Sequence, residues 1–494
     1  MPDERDDNGY TLHERESSKA ASIKDGAAWA LMVGSGETYV NPFAISLGAD
    51  AGFSGIVQTV PQFLGALAQL AALPLAGRIK SRNWTLAAGA FLQALVWIPV
   101  ALIAWFSFPP ALPWVLGLFC VYQIFGQVIN PGWSAWMAEL VAPSERGAYF
   151  ATRSRVNVLV QLIATLGAGL ALDHMGLLPA QGFALIFVFA FAMRAISAFY
   201  LSRMADRKNE AGRTGYACAL PITRPPDWGT YLSAPGMAEN RRFTLYVGAL
   251  MTATYIASPF FDIYMLTALK MDYTSWSLLC VVSTLSKFFF FNYWGRAIDR
   301  FGNRAVLFGT GFLIPAVSLL WVFDHSFGWL FFAQVFSGLA WSGFELAAFN
   351  YTISTPDAMM RTAQSAAYNF AKGTGTMVGM FMGLGVLAIW PGAGMMGLTP
   401  FLAVFFISSM GRYAASAYFL PRFSAHTFEG GMDGNKFLWE VLAVQPSKRM
   451  GRHLMDISEL SIHLAQTGAG RGIRAAKEVG EAARGVGERL KLGR

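Results

Sequence analysis

One acidic residue stands inside a long apolar run near the start of the chain. Glu37, preceded by Gly34 and Gly36, is the only charge in the stretch 27–46. An ionised carboxylate in apolar surroundings is costly unless it is paired, hydrated or protonated. Such a group can carry a proton or bind a solute, and glycines let the backbone approach whatever binds. The alternative is a structural carboxyl group that is hydrogen-bonded to a neighbouring helix.

Three further charged residues fall within apolar segments. Lys287 could pair with a cavity acid, Glu37 included, or could extend its long stem towards the end of its helix. Asp262 is expected near one end of its segment, either as a gate residue or as an interfacial charge. Glu345 could bind a solute or close a gate.

A stripe of amides offers hydrogen bonds. Gln123, Gln127 and Asn130 are spaced four and three residues apart, so they share one face of a helix. The stripe could bind a polar solute or join neighbouring helices. The cysteines and histidines are scattered singly, and we therefore expect neither a disulfide nor a metal site.

These residues belong to a strongly apolar chain. Of the 494 residues, 54% are hydrophobic and 14% are charged, whereas a soluble protein carries about 25% charged residues. The apolar runs are continuous and do not alternate, which predicts an all-α membrane protein and excludes a barrel. We expect twelve transmembrane helices, at 27–46, 54–76, 84–106, 113–135, 156–172, 182–202, 243–268, 275–294, 305–323, 328–350, 367–389 and 399–420.

The basic residues predict the orientation of these spans. The six loops assigned to the outside hold only Lys270, and ten Lys and Arg lie in the four short loops assigned to the inside. The ten are Arg78, Lys80, Arg82, Arg146, Arg153, Arg155, Arg296, Arg300, Arg304 and Arg361. Both termini are therefore expected in the cytoplasm. This bias, with the basic tail, accounts for the net charge of +8 without a nucleic-acid partner.

Segments of the first half recur in the second half after 216 to 219 residues. The matched pairs are 38–43 with 254–260, 77–82 with 295–300, and 194–203 with 412–422. Their order and spacing predict a parallel duplication of six helices. Arg194 and Arg412 occupy duplicated positions, which favours a scaffolding role for both.

The duplication divides the chain into five parts. They are a cytoplasmic N-terminal segment at 1–25, a first six-helix bundle at 26–203, a cytoplasmic linker at 204–242, a second six-helix bundle at 243–422, and a basic cytoplasmic tail at 423–494 with weak amphipathic helices. Over 421–494, twelve Lys and Arg stand against eight Asp and Glu. The tail could bind anionic lipids or could be a solvated extension.

The turn between the eighth and ninth spans carries a recognisable pattern. Residues 295–304 read Gly-Arg-Ala-Ile-Asp-Arg-Phe-Gly-Asn-Arg. Gly295 and Gly302 permit a tight turn, and Asp299 can dock on a helix amino terminus. The spacing resembles the G-x-x-x-D-R-x-G-x-R signature of the major facilitator superfamily. With the duplication, the resemblance covers about residues 25–422 and implies two pseudo-symmetric six-helix bundles.

The resemblance also implies a latch on the inner side, formed by Gly295, Asp299, Arg300, Gly302 and Arg304. In the family, the loop acid caps a helix amino terminus in the opposite half. We therefore expect Asp299 near the start of the fifth span, beside Arg153 and Arg155. The first-half copy has Ser81 at the position of the acid, so closure is expected to depend mainly on Asp299.

In the family, the first, fourth, seventh and tenth helices line a central cavity. The resemblance thus makes the polar residues above candidates for binding substrate or protons: Glu37, Gln123, Gln127, Asn130, Asp262, Lys287 and Glu345. The expected function is secondary transport of a small solute by alternating access, coupled to protons. The alternative is a membrane scaffold or assembly factor that works through its tail.

Several further expectations follow for partners and location. The sequence shows no nucleotide-binding fingerprint and no ATPase cassette, so we expect no cofactor and no enzymatic activity. The partners would be a small-molecule substrate, protons and the lipid bilayer. Residues 1–25 lack the apolar segment of a cleavable signal peptide, so the first span is expected to direct insertion, as in a multi-pass protein of the bacterial inner membrane.

Overall fold

A computed structural model describes most of the two predicted bundles. The described residues are 10–72, 82–106, 109–141, 145–174, 179–206, 228–233, 235–353, 358–390 and 398–423. The C-terminal tail, most of the linker and Ser81 lie outside them. All the observations that follow concern the described residues.

The first half is built from eight helical segments. They are α1 (Leu12–Ser35), α2 (Val40–Ser46), α3 (Ala51–Ala72), α4 (Arg82–Leu95), α5 (Trp97–Phe106), α6 (Ala111–Leu140), α7 (Arg146–His174) and α8 (Pro179–Ser202). Thr11 and Glu14 form a capping box that starts α1 well before residue 27. The first helix therefore begins earlier than its apolar run, because the cap and not hydropathy sets its start.

Seven further helices are described in the second half. Its helices are α9 (Trp228–Ser233), α10 (Ala238–Tyr255), α11 (Phe261–Ile263), α12 (Tyr273–Phe323), α13 (Phe327–Ile353), α14 (Ala358–Ile389) and α15 (Pro400–Phe419). Eight stretches of the described residues are long and apolar enough to cross a membrane, and the stretch that matches α12 contains two predicted spans. The protein is thus an all-α membrane protein. The full count of twelve spans stays a prediction.

The turn inside α12 separates the eighth and ninth predicted spans. Gly302 has φ +83° and ψ 160°, a backbone conformation that residues with a Cβ rarely adopt. Gly295 lies within regular helix, and a Cβ added there would meet nothing within 4 Å. The prediction that both glycines shape this turn is wrong for Gly295, because the helix continues for another two turns before the chain reverses.

The first and seventh predicted spans are both interrupted. Between α1 and α2 the chain passes through a 3₁₀ turn at Glu37–Tyr39, and after α10 it passes through another at Ser258–Phe260. A π-helical stretch at Tyr264–Ala268 follows α11. Both interruptions overlap the repeated segments 38–43 and 254–260. Broken helices leave backbone groups free to bind side chains at the depth where the break occurs.

Side chains of α15 bond backbone carbonyl groups at two helix irregularities of the second half, one at Pro315 within α12 and one near the end of α10. Ser416 Oγ donates to the Gly311 carbonyl at 2.7 Å, which would otherwise lack a donor because Pro315 has no N–H. Arg412, which is 2% exposed, donates to the Thr254 carbonyl at 3.3 Å near the end of α10. A scaffolding role for Arg412 agrees with this geometry.

The two ends of the helical bundle differ in the contacts that they make. We call the end where α1, α4 and α7 begin, and where Gly302 turns, the basic end. The other end, with turns at Gly48, at Lys270 and at 324–326, is called the opposite end. There the ring of Tyr39 meets that of Trp276 edge to face, with centroids 5.1 Å apart, so aromatic packing joins the two halves at the opposite end.

Candidate functional site

Glu37 lies at the interruption of the first span. It opens the 3₁₀ turn that follows Gly36. The glycines before it serve packing, since a Cβ on Gly34 would lie 2.5 Å from the Gln161 carbonyl and one on Gly36 2.7 Å from Ala190 Cβ. They bring α1 against α7 and α8. The structure shows this close helix packing, where the sequence suggested an approach to a bound solute.

Both oxygens of the Glu37 carboxylate accept a hydrogen bond from α6. Tyr122 Oη donates to Oε2 at 2.9 Å, and Gln123 Nε2 donates to Oε1 at 3.1 Å. No Lys or Arg among the described residues forms a salt bridge with Glu37. A carboxylate held by neutral donors can exchange a proton without breaking an ion pair. Of the predicted amide stripe, the structure brings Gln123 to this acid.

The other two amides of the stripe lie elsewhere. Gln127 packs against α3, because a Cβ on Gly65 would lie 2.8 Å from its Cγ. Asn130 is exposed, one turn nearer the end of α6. The common helix face predicted for the three residues therefore spans two environments, and only its first residue contacts Glu37.

Lys287 and Glu345 form an ion pair within the second half. Lys287 Nζ lies 2.7 Å from Glu345 Oε1, with the side chains 31% and 44% exposed. The lysine on α12 thus pairs with an acid on α13, and not with Glu37. A half-exposed pair contributes little to stability, which leaves both groups available to a charged partner.

Asp262 joins the two halves at the opposite end. Its Oδ2 accepts hydrogen bonds from Asn41 Nδ2 at 3.0 Å and Gln58 Nε2 at 3.3 Å, both in the first half. Its Oδ1 accepts from Trp276 Nε1 at 3.1 Å within the second half. Ser54 Oγ in turn donates to Asn41 Oδ1 at 2.9 Å. Asp262 therefore lies at the centre of a polar contact between halves.

The arginines expected to receive Asp299 are held differently. Arg153 Nη2 lies 3.4 Å from Asp25 Oδ2, and its guanidinium stacks on Trp133 at 4.2 Å. Arg155 is exposed. Asp299 is also exposed, and no hydrogen bond or ion pair joins it to the rest of the described chain. The expected approach of Asp299 to Arg153 and Arg155 does not occur in this structure.

The remaining residues of the turn motif contact their own half. The Arg304 guanidinium bonds the Glu239 carboxylate at the start of α10, and Arg300 stacks on the neighbouring ring of Phe301 at 4.9 Å. Together with Gly302, these contacts hold the reversal of α12 on the second half.

Sequence reasoning missed a buried acid, Asp25. Its side chain is 4% exposed, and its Oδ1 accepts a hydrogen bond from Ser197 Oγ at 2.7 Å. Arg194 bonds the same hydroxyl at 2.7 Å and Gln93 Oε1 at 2.8 Å. Because Asp25 stands just before the first apolar run, its charge resembled that of an ordinary loop residue. The available signal was Arg194 on α8, which occupies a duplicated position and bonds the same Ser197 hydroxyl as Asp25.

A second acid that the sequence did not reveal is Asp173. It lies at the last turn of α7, just beyond the expected end of the fifth span at residue 172. Its carboxylate accepts hydrogen bonds from the backbone N–H groups of Tyr273 and Thr274 in the second half. A charge at the border of a span looks like a solvated group, and only the fold shows what it faces.

A model of the MFS_1 like family matches residues 32–395. The chain belongs to this family. No curated protein matches it in sequence.

Solved transporter structures share the fold of this MFS_1 like protein. A mutant form of the nucleoside transporter NupG has a TM-score of 0.60 with 14% identity, and 83% of this chain covers 100% of it. A bacterial homologue of the iron transporter ferroportin gives 0.62 in its inward-facing state, with 12% identity over 84% of this chain and 100% of the homologue. A ferroportin homologue in the outward-facing state gives 0.52, with 11% identity and the same coverage.

Proposed function

We propose that this membrane transporter moves a small solute by alternating access and couples that movement to protons through Glu37. The observation that carries the proposal is the carboxylate at the break of the first span, held only by Tyr122 and Gln123 among the described residues. Protonation removes the charge and turns one oxygen into a donor, so the contacts with α6 must rearrange. A proton can thus change how the first span packs.

We assign the basic end to the cytoplasm and an inward-facing state to this structure. The positive-inside bias supports the orientation. Every hydrogen bond between the halves that involves only described residues lies at the opposite end, at Asp262, Gln58 and Asp173. The higher TM-score with the inward-facing ferroportin homologue is consistent with this state.

In this scheme, Asp299 acts in the outward-facing state. When the basic ends of the halves come together, the acid reaches the amino terminus of α7 and competes with Asp25 for Arg153. Its lack of a partner among the described residues then belongs to the inward-facing state. Lys287 and Glu345, half-exposed on the second half, would contribute the charged part of the solute site.

Thermal stability tests whether a solute binds. Purified protein would be melted with a panel that includes nucleosides and iron, the cargoes named for solved structures of similar fold, together with sugars and amino acids. Binding raises the melting temperature by mass action. Solutes that do so would then be offered to proteoliposomes under an imposed pH gradient.

The expected result is accumulation of a binding solute that stops when a protonophore collapses the pH gradient. Empty liposomes are the control. Accumulation that is insensitive to the gradient would contradict proton coupling, and failure of every binding solute to cross the membrane would contradict transport.

A further inference from the structure

The carboxylate of Asp173, in the first half of the transporter, accepts hydrogen bonds from groups in the second half. Its Oδ2 accepts hydrogen bonds from Thr274 N and Thr274 Oγ1, each at 2.6 Å, and its Oδ1 accepts one from Tyr273 N at 3.2 Å. α12 begins at Tyr273, so these N–H groups have no partner within the helix. A carboxylate at this position also interacts favourably with the positive end of the helix dipole.

The same helix start has a cap of its own. Asp272, the residue before α12, accepts a hydrogen bond from Ser275 N at 3.2 Å. Two acids therefore share the first N–H groups of α12, and they differ in one respect: Asp272 belongs to the second half and Asp173 to the first. Because α12 keeps its own cap, the contact with Asp173 is not required to start the helix.

Close packing accompanies this contact. One turn before Asp173, a Cβ on Gly169 would lie 2.5 Å from Ser277 Oγ and 2.8 Å from the Tyr273 carbonyl. The backbones of α7 and α12 therefore approach each other directly at the opposite end. Any opening of this end has to separate the two helices and break the three hydrogen bonds of Asp173.

We propose that Asp173 is a gate residue of the opposite end, which holds α7 on the amino terminus of α12 while the cavity faces the basic end. The inference rests on the alternating access proposed above. It assigns the closure of this end to a charged contact in addition to the neutral donors around Asp262, so that removing the charge shifts the transporter towards an outward-open state.

Distances between spin labels measure this shift without any solute. At the opposite end, labels would replace Trp114 and Phe327, which are 62% and 40% exposed and belong to different halves. At the basic end, labels would replace Trp84 and Leu245, which are 67% and 61% exposed. The three native cysteines would be replaced first, and the protein would be studied in lipid nanodiscs.

The variants distinguish a gating role of Asp173 from a role that is limited to capping α12. Asp173→Asn removes the charge and Asp173→Ala removes the acceptors, and Thr274→Val removes one donor while sparing the acid. Asp272→Asn is the matched control, because it weakens the same helix start from within one half. Chromatography and melting curves would show that each variant is folded.

We expect Asp173→Asn to raise the ratio of outward-open to inward-open molecules about two- to ten-fold, with a larger rise for Asp173→Ala. The distance at the opposite end should lengthen as the distance at the basic end shortens, while Asp272→Asn leaves both unchanged. Distances in the Asp173 variants that equal those of the wild type or of Asp272→Asn would overturn the assignment. If the wild type shows only one state and the label distances of the Asp173 variants differ from it, the gate assignment stands. Solute flux would then decide whether the protein transports by alternating access.

Discussion

At the scale of single residues, the acids of this protein differ in the partners that they have. Glu37 and Asp262 accept hydrogen bonds from neutral side chains, whereas Asp25 lies against Arg153 and shares Ser197 with Arg194. A neutral set of donors allows a proton to come and go. A buried acid beside cations has the opposite role, because its charge compensates theirs.

Asp25 should therefore matter for stability. We expect Asp25→Asn to lower the free energy of unfolding by about 3–5 kcal/mol, because it leaves the neighbouring guanidinium groups uncompensated. Melting curves in detergent measure this, with Asp324→Asn in an exposed turn as the control. Adding Arg153→Met should recover part of the loss. Equal melting temperatures for the Asp25 and Asp324 variants would show that the buried pair is dispensable.

At the scale of helices, small residues decide how closely the spans pack. Gly375, Gly379 and Gly383 form a stripe along α14, and a Cβ on each would lie 2.2 to 2.5 Å from a backbone oxygen of the α10 segment. Their spacing of four residues places all three on one face of α14, so this ladder and its close packing follow from the period of the helix. Interruptions such as the one at Glu37 give no comparable periodic signal.

The ladder gives a prediction with a control on the same helix. Gly379→Val places a side chain where the Thr252 carbonyl lies 2.2 Å from the Cβ, and Gly385→Val places one where nothing lies within 4 Å. We expect the first to cost about 1–3 kcal/mol through overpacking, and the second to change the melting temperature little. The same drop in both variants would mean that helix propensity, and not contact with α10, sets the cost.

At the scale of the whole molecule, the apolar runs predicted an all-α membrane protein, and the motif at 295–304 with the repeated segments predicted its family. Contacts between the halves were not predictable. Asp173 and Asp25 each stand just outside an apolar run, where hydropathy treats them as loop residues. The predicted approach of Asp299 to Arg153 does not occur in this structure. Such a contact depends on which ends of the halves meet, whereas the sequence motif is the same in every state.

Proton binding at Glu37 is proposed to drive the movement of the two halves, and Glu37→Gln tests this coupling. The substitution imitates the protonated acid and keeps its shape, so the halves should still alternate. The matched control is Glu16→Gln, at a side chain that is 60% exposed on α1.

The measurement is solute movement into proteoliposomes, made twice with the same protein, once as exchange between loaded vesicles and once as accumulation driven by a pH gradient. We predict that Glu37→Gln exchanges solute at close to the wild-type rate but does not accumulate it, while Glu16→Gln does both. Accumulation by Glu37→Gln at the wild-type level would contradict proton coupling through Glu37 and would leave this residue as one that packs the break of the first span against α6.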